Sequence, residues 1–110
     1  MNKHIKMGIS MFYKIISWKD VEILMAEHKC ILIDVRDKYD YDAGHVHDAV
    51  NIDMDSVVRY VGEQSRDTYI IIYCERGGRS FRAARYVENE YGNKYMLYVV
   101  SGGIKAYKYH

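Results

Sequence analysis

The chain has no proline, only two cysteines and almost no net charge, and none of its apolar runs is long enough to span a membrane. The cysteines, Cys30 and Cys74, stand far apart. That spacing leaves out both a zinc site of closely spaced ligands and the disulfide framework of a small secreted domain. With 16 basic and 15 acidic residues the net charge is +1, which provides no footprint for nucleic acid or for an anionic bilayer surface. Any anion site must be local. The opening stretch MNKHIKMGISMFYKII contains no signal-peptide core and no cleavage pattern. A cytoplasmic protein with no membrane or nucleic-acid partner is therefore expected, and nothing in the composition implies a cofactor or a metal. The 12 tyrosines suit half-buried strands and say nothing of chemistry.

What is present points to one domain: 110 residues with 49% apolar content are enough for a single core. Residues 1–12 have no clear period and hold a second and third methionine, so they are expected to be a loose leader or to precede the true start, with the domain over 13–110. YKIIS predicts a short strand, and Ser17 with Asp20 predicts a capping box opening a helix through WKDVEILMAEH. CILIDV, residues 30–35, is a continuous apolar run and predicts a strand covered on both faces, the mark of a parallel sheet. A polar loop with about one helical turn follows. AVNI then predicts a short strand, and Asp53 is expected to cap the helix around MDSVVRYVGE. YIIIYC leads into CERGGRS and a helix that Gly92 should end, and MLYVV, SGG and a short terminal helix close the chain. Alternating strands and helices predict an α/β domain: a central, mainly parallel sheet of about five strands with helices on both faces.

The segment Cys74-Glu75-Arg76-Gly77-Gly78-Arg79-Ser80 falls between a buried strand and a helix, at the carboxyl edge of the predicted sheet, where ligands bind in such folds. Adjacent glycines allow successive amides to converge, and the helix that follows adds its free N–H groups and positive dipole end. A thiol at the mouth of this cradle should ionise more readily than an ordinary cysteine and act as a nucleophile. Attack on the outer sulfur of a sulfane donor such as thiosulfate would leave a persulfide on Cys74, stabilised by the amides of residues 75–80. Arg76 and Arg79 would hold the departing anion, and a thiol or cyanide would collect the sulfur. An inert buried cysteine is the alternative, for which an arginine-rich polar loop is a poor setting.

Four segments, in order, carry a resemblance to the rhodanese family over about residues 14–108: ILIDVR, YDAGHVHDAVNI, CERGGRS and SGGIKAY. The resemblance implies a rhodanese-like fold, thiosulfate sulfurtransferase activity and Cys74 as the persulfide-forming residue, with a small sulfur donor and a thiol or protein persulfide as partners. Related phosphatases of the same fold have arginine six positions after the cysteine, where this chain has Ser80, and Arg79 comes one residue sooner. Phosphatase or arsenate reductase chemistry is thus the lesser alternative, and a persulfide carrier that does not turn over small molecules is another.

Asp34 and Arg36 are expected to form a structural ion pair near the site. His45 is expected to be a hydrogen-bonded structural residue, since neither it nor His47 has a third metal ligand at useful spacing. Cys30 should begin its strand while Cys74 ends another, too far apart for a disulfide, so Cys30 is read as a core residue. Arg82 and Arg85 are read as a solvated face. The chain departs from the family pattern at Glu75, whose charge should repel a thiosulfate dianion and favour a protein persulfide as donor. It departs also at His47-Asp48, in place of Pro-Gly, and at Tyr107, in place of tryptophan and expected to plug the sheet.

Overall fold

The strand YIIIY has hydrogen-bonded neighbours on both sides and helices over both faces, which is why it can be apolar along its whole length. Ile70, Ile71 and Ile72 are fully buried, each worth roughly 1.5–3 kcal/mol relative to exposure. The computed structural model describes residues 13–107. It holds β1 (Tyr13–Ile16), α1 (Trp18–Glu27), β2 (Cys30–Asp34), α2 (Lys38–Ala43), β3 (Val50–Asn51), α3 (Val57–Gly62), β4 (Tyr69–Tyr73), α4 (Gly78–Tyr91), β5 (Met96–Val100) and α5 (Gly103–Tyr107). The expected leader, residues 1–12, lies outside the described residues.

All pairings are parallel, in the order β1-β5-β4-β2-β3. The pleat sends alternate side chains to two cores. Ile33, Ile70, Ile72, Leu97 and Val99 meet Val57, Val61, Ala83, Ala84 and Val87 of α3 and α4. Leu32, Ile71, Tyr73, Tyr98 and Val100 meet Trp18 and Val21 of α1, with Ile104 of α5 packed alongside. The predicted α/β architecture with helices on both faces is what forms.

Local signals explain most boundaries. Ser17 accepts from the Asp20 N–H at 3.2 Å while the Asp20 carboxylate accepts from the Ser17 N–H at 3.3 Å, completing the capping box of α1. Gly92, at φ 59°, ends α4. Two expectations need correction. The polar stretch after β2 holds a helix of 6 residues rather than one turn in a loop. Asp53 does not cap α3: its carboxylate accepts from Ser56 N–H at 3.0 Å and closes a turn before the helix, whose N-cap is Ser56. The replacement of Pro-Gly at residues 47–48 keeps a tight turn, closed by Ala49 N–H on the Val46 carbonyl at 3.0 Å. Asp48 adopts φ 70° there, a conformation that aspartate tolerates better than most side chains. Tyr107 packs edge-on against Trp18, ring centroids 4.9 Å apart.

Candidate active site

β4 ends at Tyr73 and α4 begins at Gly78, so Cys74 sits at the carboxyl edge of the central strand with a four-residue turn to the helix. The turn is tight because Gly77 takes φ 128°, a left-handed value that L side chains rarely adopt. Gly78 has no such requirement, and a Cβ there would meet nothing within 4 Å. Curling the loop therefore needs one of the two glycines, not both.

Cys74 is only 2% exposed. Its Sγ accepts hydrogen bonds from the Gly77 N–H at 3.0 Å and the Ser80 N–H at 3.4 Å. Ser80 Oγ lies 3.4 Å from the sulfur and donates to the Gly77 carbonyl at 3.0 Å. Ionisation of the thiol frees that hydroxyl to turn and donate to the sulfur instead. Burial pushes the Cys74 thiol up, but the Ser80 hydroxyl and the amides of Ser80, Gly77 and Arg76 outweigh it and leave the pKa below the ordinary cysteine value. The loop thus favours the thiolate without a cation touching the sulfur.

Behind the loop, Asp34 is fully buried at the end of β2 and Arg36 nearly so. The guanidinium donates to the Asp34 carboxylate at 2.9, 3.1 and 3.2 Å and to the Gly44 carbonyl at 2.7 Å. Asn51 donates to the carbonyls of Asp34 and Arg36 at 3.0 and 2.9 Å. The Tyr73 hydroxyl accepts from the Val46 N–H at 3.2 Å, and burial together with its hydrogen bond to Asp34 raises its pKa well above the usual value. This network ties β2, β3, β4 and the 44–46 segment into one support, so Asp34 and Arg36 form the expected ion pair.

The remaining predicted residues divide. Arg79 is turned toward Asp37, with Nη1 3.6 Å from Oδ1, and Arg76 is exposed, with no ion pair among the described residues. Neither guanidinium bonds to the sulfur. His45 is exposed, stacked on Tyr41 at 3.7 Å, and donates through Nδ1 to the Tyr41 carbonyl at 2.8 Å. It braces the end of α2 and stands outside the sulfur's hydrogen bonds. His47 is exposed and 3.5 Å from Asp48.

Glu75 is not an isolated charge at the mouth. Its Oε1 lies 3.3 Å from Arg36 Nη1 and its Oε2 3.4 Å from Lys105 Nζ. Burial pushes the carboxyl's pKa up, and the hydrogen bonds and charges of Lys105 and Arg36 together more than reverse this, leaving it lowered. Lys105 is the site neighbour that sequence reasoning missed. It lies 30 positions from Glu75, and no local motif links them. The link is α5, which docks on the loop: Ile104 N–H donates to the Cys74 carbonyl at 2.9 Å and Lys105 N–H to the Glu75 carbonyl at 3.2 Å. Gly103 makes this approach feasible, since a Cβ there would fall 2.5 Å from both of those carbonyl oxygens. Trp18 Nε1–H fixes the same turn by donating to the Gly103 carbonyl at 2.8 Å. Arg36, Asp40, Ala43, Gly44, Glu75, Ile104 and Lys105 line a cleft of about 270 Å³ beside the loop. No helix among the described residues is long and apolar enough to cross a membrane.

The rhodanese-like domain family matches residues 17–110. The chain is 27% identical over 84 residues to the thiosulfate sulfurtransferase GlpE of Pseudomonas syringae, covering 76% of this chain and 77% of that protein. It is 28% identical over 100 residues to the protein of that name from Coxiella burnetii, covering 91% and 92%. Among solved structures it resembles reduced Bacillus anthracis CoADR-RHD at 30% identity and TM-score 0.72, covering 87% of this chain and 16% of that longer one. With a buried cysteine held by loop amides at the carboxyl edge of a five-stranded parallel sheet, and with a family match running from the first helix to the last residue, this chain belongs to the rhodanese-like domain family.

Proposed function

We propose that the protein is a sulfurtransferase that carries sulfane sulfur as a persulfide on Cys74. The observation that carries this reading is the Cys74 sulfur itself, buried yet held by the amides of Gly77 and Ser80 and biased toward the thiolate. The relatives named thiosulfate sulfurtransferase support it.

The thiolate attacks the outer sulfur of the donor. A new S–S bond forms to Cys74, the donor's own S–S bond breaks, and the electron pair leaves with the departing anion, which is sulfite when thiosulfate is the donor. An acceptor thiolate or cyanide then takes the outer sulfur and regenerates the Cys74 thiolate. The amides that hold the thiolate are suited to hold the persulfide anion, and Arg76 and Arg79 supply positive charge at the rim for an anionic donor. In this reading Asp34 and Arg36 position the loop and do not touch the donor, and the cell compartment is the cytoplasm.

The test is thiocyanate formation from thiosulfate and cyanide, with intact mass after donor treatment, for the wild type beside Cys74→Ala. Expected are thiocyanate and a 32 Da adduct in the wild type, for the one sulfur atom added by this chemistry, and loss of both in the variant. An adduct without thiocyanate would identify a carrier. No adduct from thiosulfate or from an alkyl persulfide would refute the reading.

A further inference from the structure

The cleft beside the loop is lined by four ionisable side chains, two of each sign: Arg36 and Lys105 against Asp40 and Glu75. Arg36 is further committed, since its guanidinium already serves the fully buried Asp34 at 2.9 Å. Glu75 takes what remains, one carboxylate oxygen facing Arg36 Nη1 and the other facing Lys105 Nζ. Both cations of the cleft therefore already face a protein carboxylate. An incoming anion finds them already paired.

We propose that Glu75 is the specificity-determining residue of this site. On the persulfide reading above, it turns the site away from the thiosulfate dianion and toward alkyl persulfides, which carry at most one negative charge. Two features of the site support this. Glu75 follows Cys74 directly and is held in place at both oxygens, so its charge stays at the mouth. Repulsion also scales with the donor's charge, so a carboxylate near the reacting sulfur disfavours a dianion about twice as strongly as a monoanion. The step itself is the same for either donor. The Cys74 thiolate bonds to the outer sulfur of R–S–SH, the donor S–S bond breaks, and the pair departs on R–S⁻, which takes a proton from water. With thiosulfate the pair departs on sulfite. The cleft's apolar patches, Ala43 and Ile104, suit an alkyl group and offer nothing to sulfite.

The experiment measures second-order rate constants for Cys74 persulfide formation, by rapid quench and intact mass, with thiosulfate and with 2-hydroxyethyl persulfide. The readout is their ratio, so a general loss of reactivity cancels. Glu75→Gln is expected to raise the thiosulfate-to-persulfide ratio about tenfold at low salt, with the gain shrinking as salt is added. Lys105→Met, which leaves Glu75 with one partner fewer, is expected to lower it about threefold. A structural role alone would move both variants the same way. Ratios that stay at the wild-type value, or that shift in the same direction, overturn the proposal while Cys74 persulfide formation stands. A wild type that forms no persulfide with either donor removes the underlying reading, and this proposal falls with it.

Discussion

Cys30 and Cys74 stand at opposite ends of the same pair of strands. Cys30 opens β2 opposite Tyr69, which opens β4, and Cys74 follows the last residue of β4. Five residues at ~3.3 Å each keep them far beyond disulfide reach. Both are removed from water to some degree, and burial pushes both thiols up. The difference lies in what else meets each sulfur. Cys30 Sγ donates to the Leu24 carbonyl at 3.4 Å, a partner that favours the protonated thiol, and its pKa stays raised. Cys74 meets amide and hydroxyl donors, and its pKa falls despite deeper burial. Burial by itself does not make a cysteine inert; the polarity of its hydrogen-bond partners decides.

The contrast breaks most severely if the Cys74 loop loses its support. Gly103→Ala would drive a Cβ into the carbonyl oxygens of Cys74 and Glu75, where backbone rather than a flexible side chain must give way. The expected outcome is a loss of at least about 2 kcal/mol in denaturant unfolding and slower alkylation of Cys74. An unchanged midpoint would show that α5 does not brace the loop.

Ser80→Ala should remove the hydroxyl contribution while leaving the Ser80 amide. Iodoacetamide labelling of Cys74 at neutral pH is then expected to slow by roughly three- to tenfold, with the pH profile of its labelling displaced upward. In the wild type the two thiols should separate along the same axis, Cys74 labelling at lower pH than Cys30. Their effects on stability have opposite signs. Cys74, with a lowered folded pKa, contributes stability that is full above its unfolded pKa and is lost as pH falls through the folded one. Cys30, with a raised folded pKa, contributes stability that is full below its unfolded pKa and is lost as pH rises through the folded one. Coincident labelling profiles would erase the distinction between the two sites.

The smallest effect is expected from Cys30→Ala, a half-buried residue at a strand start. About 1 kcal/mol of stability should be lost with thiocyanate formation retained. Loss of sulfur transfer in this variant would mean that Cys30 takes part in the chemistry despite its distance from Cys74.

Legibility in the sequence followed the range of the interaction. The capping box of α1, the end of α4 at Gly92 and the Cys74–Ser80 loop each depend on residues within a few positions, and all are readable from the chain. The Asp34–Arg36 pair is readable for the same reason, two positions apart at a strand end. What supports that pair was not: the Gly44 carbonyl and Asn51 reach it only after β3 pairs with β2. Asp53 misled because an aspartate three residues before an amide can close a turn as readily as cap a helix.

By its sequence alone this protein was committed to an α/β sheet and to a cysteine between a buried strand and a helix, because apolar periodicity and loop chemistry are local properties. The state of Glu75 was decided only in three dimensions. From the chain it is a lone carboxylate beside a nucleophile; in the fold it is clasped by Arg36 and Lys105, from 39 and 30 positions away. Charges interact through space, and the distance between them is set by how α5 closes on the carboxyl edge of the sheet.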